Sequence, residues 1–188
     1  MSKPAVVIVD MLKDNVDIDS RHSIGEEGRK IIPNLQRLTA AARGKGIPVI
    51  FANDSYLPDD FLFKGRMKPH CIQGTRGAEV IDELKPQESD IVLPKRHISA
   101  FFKTNFDRML RDMDVDTIIV GGISTAACVL STALDGFSND FYVVVLEDCC
   151  ACPRPEEHKN AIKLFQGLNR PLHPLLKTMK LDEFIKSL

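Results

Sequence analysis

A chain of 188 residues with 44% hydrophobic and 27% charged side chains is long enough to bury a core without disulfide staples and reads as one soluble globular domain over residues 1–188. Its net charge of -1 offers no excess of Lys and Arg for neutralising phosphates, which argues against a nucleic-acid partner. The longest apolar runs, such as Tyr142 to Leu146, are far too short to cross a bilayer, and Met1 to Ala5 lead into β-branched residues without the h-region of a signal peptide, so a cytosolic protein with no membrane partner is expected. In that compartment the five cysteines are expected as free thiols.

In chain order, Ala5 to Val9 is a short β-branched run ending at Asp10, as expected of a strand covered on both faces. Helical spacing of Ile31, Ile32, Leu35, Leu38, Thr39 and Ala42 predicts a helix over 28–43, stopped by Gly44-Lys45-Gly46. A second strand, Pro48 to Ala52, leads to Asp54. The segment 55–77, punctuated by Pro58, Gly65, Pro69, Gly74 and Gly77, predicts a long surface loop of the sort that carries function. A short helix over 78–84 precedes a third strand, Asp90 to Pro94, which delivers Lys95 and Arg96; a helix over 105–113 follows. A fourth strand from Asp116 ends in Gly121-Gly122, and small residues then lead to Cys128 and a helical pattern. A fifth strand, Phe141 to Leu146, is expected to end at Glu147 and Asp148, before a helix over 156–168 and short helical pieces in 172–188. Strands alternating with amphipathic helices predict an α/β fold with a mostly parallel sheet.

In such sheets ligands gather beyond the carboxyl ends of the strands. Asp10, Asp54, Lys95 and the turn from Gly121 to Cys128 all fall at that rim. Each has a bland reading alone, since acids cap turns, lysines are solvated and a free cysteine packs as a small hydrophobe. Together they supply what a cysteine hydrolase needs. Cys128 is a candidate nucleophile at the start of a helix, where the dipole favours a thiolate. Asp10 can take and return its proton, Lys95 lowers the thiol pKa and holds the carboxylate, and backbone N–H groups near Ser124 and Cys128 can receive an oxyanion.

The ordered motifs Ile8-Val9-Asp10-Met11, Phe51-Ala52-Asn53-Asp54, His70-Cys71 with Gly74 to Glu79, Lys95 to Phe101, and Gly122-Ile123-Ser124-Thr125 with Cys128 resemble those of the isochorismatase-like cysteine hydrolases, a superfamily that includes nicotinamidases and N-carbamoylsarcosine amidases. The resemblance covers about 5–164. It implies a three-layer α/β/α sandwich with a Rossmann-like sheet of about six strands and an Asp10, Lys95, Cys128 triad. It also implies a cis peptide at Ile123-Ser124 that aims the N–H groups of Ser124 and Cys128 at the oxyanion, and association into dimers or tetramers.

Departures from the nicotinamidase pattern are equally informative. Tyr56 stands where the first metal-binding His of an Asp-x-His pair would be, so neither metal nor cofactor is expected. Asn15 and Met67 occupy the positions of the aromatic pair that sandwiches a pyridine ring. Asp54 and His70 then either bond substrate or fix local structure, while Tyr56, Met67, Phe101 and Phe102 are candidate pocket walls. Cys149, Cys150 and Cys152 are read as packing residues and His158 as structural or interfacial. The expected function is hydrolysis of a C–N bond in a small amide or ureido compound through a thioester on Cys128. The alternatives are isochorismatase-type vinyl-ether hydrolysis and an idle homologue that binds a metabolite or serves as a structural subunit.

Overall fold

Uninterrupted β-branched runs need cover on both faces, and the computed structural model shows how they obtain it. It describes residues 3–17, 19–20 and 22–188. Among these, six strands, β1 (Pro4–Val9), β2 (Val49–Asp54), β3 (Ile91–Lys95), β4 (Thr117–Ile123), β5 (Tyr142–Ala151) and β6 (Leu176–Met179), form one all-parallel sheet in the order β3-β2-β1-β4-β5-β6. The helices are α1 (Lys13–Val16), α2 (Glu26–Lys30), α3 (Ile32–Gly44), α4 (Phe106–Asp112), α5 (Leu130–Ser138), α6 (Pro155–Leu172) and α7 (Leu181–Ser187). No helix among the described residues is long and apolar enough to cross a membrane.

The period-two alternation of each strand sorts side chains into two cores. Val7 and Val9, Ile50 and Ala52, and Ile118 and Val120 pack with Phe106 and Leu110 of α4, Ala133 of α5 and Phe165 of α6. Val6 and Ile8, Phe51, Ile119 and Val144 face the other way, onto Leu35, Leu38 and Ala42 of α3 and Leu181 and Phe184 of α7. The result is a three-layer α/β/α sandwich. The chain runs outward from β1 to β2 and β3, then crosses back to β4 and continues to β5 and β6. Strand order therefore reverses between β1 and β4, and the crevice at their carboxyl ends lies between Asp10 and the turn after β4. Gly122 permits this closeness: its φ is +118°, and a Cβ there would sit 2.2 Å from the Val9 carbonyl oxygen.

Four local outcomes differ from the sequence reading. The helix expected over 28–43 is broken into α2 and α3 at Ile31, because Pro33 has no N–H to donate and fits only a first helical turn. The segment 78–84 forms two 3₁₀ turns, Arg76–Ala78 and Asp82–Leu84. Between them the backbone is tied across the chain, Lys13 N–H to Glu79 O at 2.9 Å and Ile81 N–H to Met11 O at 3.0 Å. β5 runs on to Ala151 instead of ending at Leu146; two steps along β4, from Val120 to Gly122, are matched by five along β5, from Val145 to Cys150. The excursion takes in the acids that seemed to end the strand, both half-buried, with Asp148 accepting the Leu181 N–H at 2.9 Å. Finally, the tail supplies an edge strand, β6, as well as α7.

Candidate active site

Asp10 is the first residue beyond β1 and takes a left-handed φ of 54°, a conformation its short polar side chain tolerates. Its Oδ1 accepts the Asp54 backbone N–H at 2.7 Å, and its Oδ2 accepts a proton of Lys95 Nζ at 2.9 Å. Lys95, the last residue of β3, also donates to Asp54 Oδ1 at 2.5 Å and to the His97 carbonyl at 3.2 Å. An ammonium has three protons, and all three are engaged. The register of β2 on β3 places Asp54 directly beside Lys95. Asp10, Lys95 and Asp54 are 2%, 1% and 5% exposed, so three ionisable groups are removed from water together.

Cys128 completes the cluster. Its sulfur and carboxylate oxygens of Asp10 and Asp54 all lie within 4.8 Å of one another. Burial, and next the charge of Asp54, push the Asp10 carboxyl up to about 7. Burial alone would favour neutral Lys95, yet Asp10 and Asp54 hold its pKa well above the ordinary lysine value. Burial and then the charge of Asp10 raise the Cys128 thiol well above its usual range; the charge of Lys95 acts in the opposite sense and is outweighed. Lys95 thus acts on the thiol in the expected sense, but burial and the Asp10 charge outweigh it.

The turn that carries Cys128 is also not an ordinary helix start. The peptide bond Ile123-Ser124 is cis. Residues Thr125–Val129 then form a π-helical turn, in which the Ser124 carbonyl accepts from Ala127 N–H at 3.0 Å and Val129 N–H at 3.2 Å, before α5 begins. Such wide turns recur at functional sites because they re-aim one side chain without ending the helix.

A cavity of about 1090 Å³ is lined by sequence neighbours of the cluster, though by none of Asp10, Asp54, Lys95 and Cys128 themselves. Its wall includes Ser55 and Tyr56, just after Asp54; Pro94 and Arg96, on either side of Lys95; Phe102; and Ser131, three residues beyond Cys128. Of the residues expected to bind substrate, Tyr56 lines it. Asp54 is instead consumed by Lys95, an arrangement that spacing alone did not reveal. Phe101, expected as a pocket wall, turns into the core against Phe106 and Phe141, with ring centroids 4.7 and 5.8 Å away, and its neighbour Phe102 faces the cavity. Met67 is 47% exposed. His70 stacks on His22 at 4.7 Å and meets Tyr56 edge-on at 5.6 Å, with its Nδ1 2.9 Å from the Lys68 carbonyl.

The donors do not fit the divalent metal that the nicotinamidase pattern would imply. Among the described residues, the cluster of metal-capable atoms is Asp10, Asp54 and Cys128, and the Lys95 ammonium already bridges its two carboxylates. Tyr56 is a buried phenol whose pKa is raised, first by burial and then by Asp54, so it is a neutral and poor ligand.

Comparison with known proteins places this geometry in context. The isochorismatase domain model matches residues 4–173. A ureidoacrylate amidohydrolase RutB from Pseudomonas savastanoi pv. phaseolicola is 36% identical over 138 residues, covering 63% of this chain and 56% of that protein. The chain thus spans little more than half the length of that relative. An uncharacterized isochorismatase family protein, YaaI of Bacillus subtilis, is 29% identical over 87% of this chain and 89% of its own. Among solved structures, N-carbamoylsarcosine amidase from Thermoplasma acidophilum superposes with a TM-score of 0.81 at 32% identity, covering 96% of this chain and 97% of that one. An isochorismatase-like hydrolase from Alkaliphilus metalliredigens does so with a TM-score of 0.88 at 31% identity, over 99% of each chain.

Proposed function

The chain belongs to the isochorismatase family, and on that premise we propose that it is a cysteine hydrolase cleaving a non-peptide C–N bond of a small amide or ureido compound. One observation carries the reading: Asp10, Lys95 and Cys128 come from three separate strand ends and are buried together at the point where strand order reverses. The relatives named as ureidoacrylate amidohydrolase and N-carbamoylsarcosine amidase support the substrate class.

The chemistry follows from the resting protonation states. Burial and the charge of Asp54 push the Asp10 carboxyl up to about 7, which suits a group that both takes and returns a proton near neutral pH. Asp10 takes the Cys128 proton as sulfur attacks the substrate carbonyl carbon, so the high thiol pKa is overcome only when a bond forms. The carbonyl oxygen becomes an oxyanion facing the N–H groups of Ser124 and Cys128. Asp10 then returns the proton to nitrogen, the C–N bond breaks, ammonia or an amine leaves, and a thioester remains on Cys128. Water, deprotonated by Asp10, attacks that thioester and expels the thiol. Lys95 stays charged throughout and keeps Asp10 in place. The cavity wall holds Arg96 and Lys103 as well as Asp59, Asp60 and Asp135, which suits a small polar substrate. The family reading also carries one domain over 1–188, a cytosolic setting and dimeric or tetrameric association as proposals; light scattering tests the last.

The deciding experiment offers amides, ureido acids and the vinyl ether isochorismate to the protein while ammonia release, vinyl-ether cleavage and intact mass are followed. Turnover together with an acyl adduct on Cys128, both lost in Cys128→Ala, is the expected result. Turnover that persists in Cys128→Ala points to acid-catalysed vinyl-ether chemistry, and binding without turnover or adduct points to an idle homologue.

A further inference from the structure

The thiol just after β5, Cys152, and the histidine of α6, His158, are not used by the mechanism above, yet both reach the turn that carries Cys128. Cys152 Sγ is 3.2 Å from Ser124 Oγ and accepts the Ala126 backbone N–H at 3.4 Å. His158 Nδ1 is 2.9 Å from Thr125 Oγ1. Three consecutive residues, Ser124, Thr125 and Ala126, are thus held by side chains from two other elements. Cys152 and Thr125 are 1% and 0% exposed, so water is no substitute partner. The placement of Cys152 follows from the irregular register of β5, which pairs Ala151 with Ile123 and leaves Cys152 opposite Ser124. Cys152 and His158 line a separate cavity of about 490 Å³, with Glu147 and Lys163, and not the one beside Lys95.

We propose that Cys152 and His158 are positioning residues that clamp the Ser124-Thr125-Ala126 turn, so that the Ser124 and Cys128 N–H groups are aimed at the oxyanion before substrate arrives. The proposal rests on the cysteine-hydrolase reading. A π-helical turn departs from the regular α-helical ladder, so its backbone bonds alone fix its aim less firmly, and oxyanion donors lose their effect when displaced by a fraction of an ångström. The clamp supplies from behind what the local backbone does not. It acts on the transition state: without it the substrate still fills the cavity beside Lys95, while the tetrahedral oxygen is poorly received.

Two probes of Cys128 separate this role from nucleophilicity and from folding. A small aliphatic aldehyde adds across its C=O bond: sulfur bonds to carbon, and the thiol proton passes to oxygen, which occupies the oxyanion position. Iodoacetamide is attacked at its methylene carbon with loss of iodide and places no oxygen there. In Cys152→Ala, and independently in His158→Gln and Thr125→Val, kcat and aldehyde affinity are expected to fall by about tenfold or more. KM and the iodoacetamide rate at Cys128, read by peptide mapping, are expected to stay within about twofold on this differential-binding logic, even where the unpaired buried group lowers the melting temperature. Cys152→Ser, whose hydroxyl keeps both hydrogen bonds, is expected to restore most of the loss. Unchanged aldehyde affinity in all three variants overturns the clamp, as does an equal fall in iodoacetamide rate. If the unaltered protein forms no aldehyde adduct and turns over nothing, the cysteine-hydrolase reading fails and the clamp fails with it.

Discussion

The β1 to β3 side of the site and the β4 to β5 side are built from different chemistry. The first is made of charge: Asp10, Asp54 and Lys95 leave water together, and the ammonium spends every proton on a carboxylate or a carbonyl. The second is made of neutral groups, with backbone N–H donors on a π-helical turn and a thiol and an imidazole behind it. Cys128 sits at the junction. A buried charge cluster can set a proton affinity but relaxes poorly, whereas a neutral turn can be aimed without altering the electrostatics of the acid beside it. On the proposed mechanism, the division lets one half tune Asp10 and the other receive the oxyanion.

Removing the junction is expected to have the largest effect. Cys128→Ala, or Cys128→Ser with its far less acidic hydroxyl, should lower kcat by at least about a thousandfold, measured as ammonia release, with little change in melting temperature. A variant retaining a tenth of the activity would show that the charged half works without the nucleophile.

The charged half breaks most severely at Lys95. Lys95→Met leaves two carboxylates buried without their cation, and a loss of about 3–5 kcal/mol of stability is expected by denaturant titration at pH 8. The loss should shrink at pH 5, where Asp10 takes up a proton. A loss that is the same at both pH values would mean that the ammonium is not what makes burial of the carboxylates tolerable.

Asp54 tests how that half sets the proton affinity of Asp10. Since burial and then Asp54 raise the Asp10 carboxyl to about 7, the acid limb of kcat/KM should have its midpoint near there. In Asp54→Asn that midpoint should move down by about one pH unit. The stability sign is also fixed. With a folded pKa above the unfolded one, Asp10 contributes stability that is present below pH about 4 and lost as pH rises through its folded value near 7. Asp54→Asn should flatten that loss.

The two halves were not equally legible in the sequence. Asp10, Lys95 and Cys128 could be read as neighbours because each lies at or just beyond the carboxyl end of an apolar strand, and parallel strands bring those ends to one edge. The alternation of strands with helices predicted the parallel α/β sheet, and the family resemblance implied the three layers. Asp54 announced its place but not its partner, because lateral pairing to Lys95 depends on the register of β2 against β3. Cys152 was hidden by Glu147 and Asp148, which end the apolar run although the backbone continues as strand beyond them. Leu176–Met179 was invisible as β6 because a four-residue edge strand has too few positions to show a period.

The smallest expected effect concerns that same limit, at Phe101 and Phe102. One residue of phase decides which ring faces the core and which the cavity, and no pattern in Lys95 to Phe102 fixed it. Phe101 packs on Phe106 and Phe141, so Phe101→Ala should lower the melting temperature and leave KM nearly alone. Phe102 is 50% exposed, lines the cavity and meets the His97 ring edge-on at 4.8 Å. Its removal should raise KM by about threefold to tenfold, a loss of one modest apolar contact, with kcat and melting temperature little changed. The contrast between the variants is sharper than either alone. Reversed outcomes would mean that substrate reaches Cys128 from the α4 side, and the cavity beside Lys95 would lose its place in the mechanism.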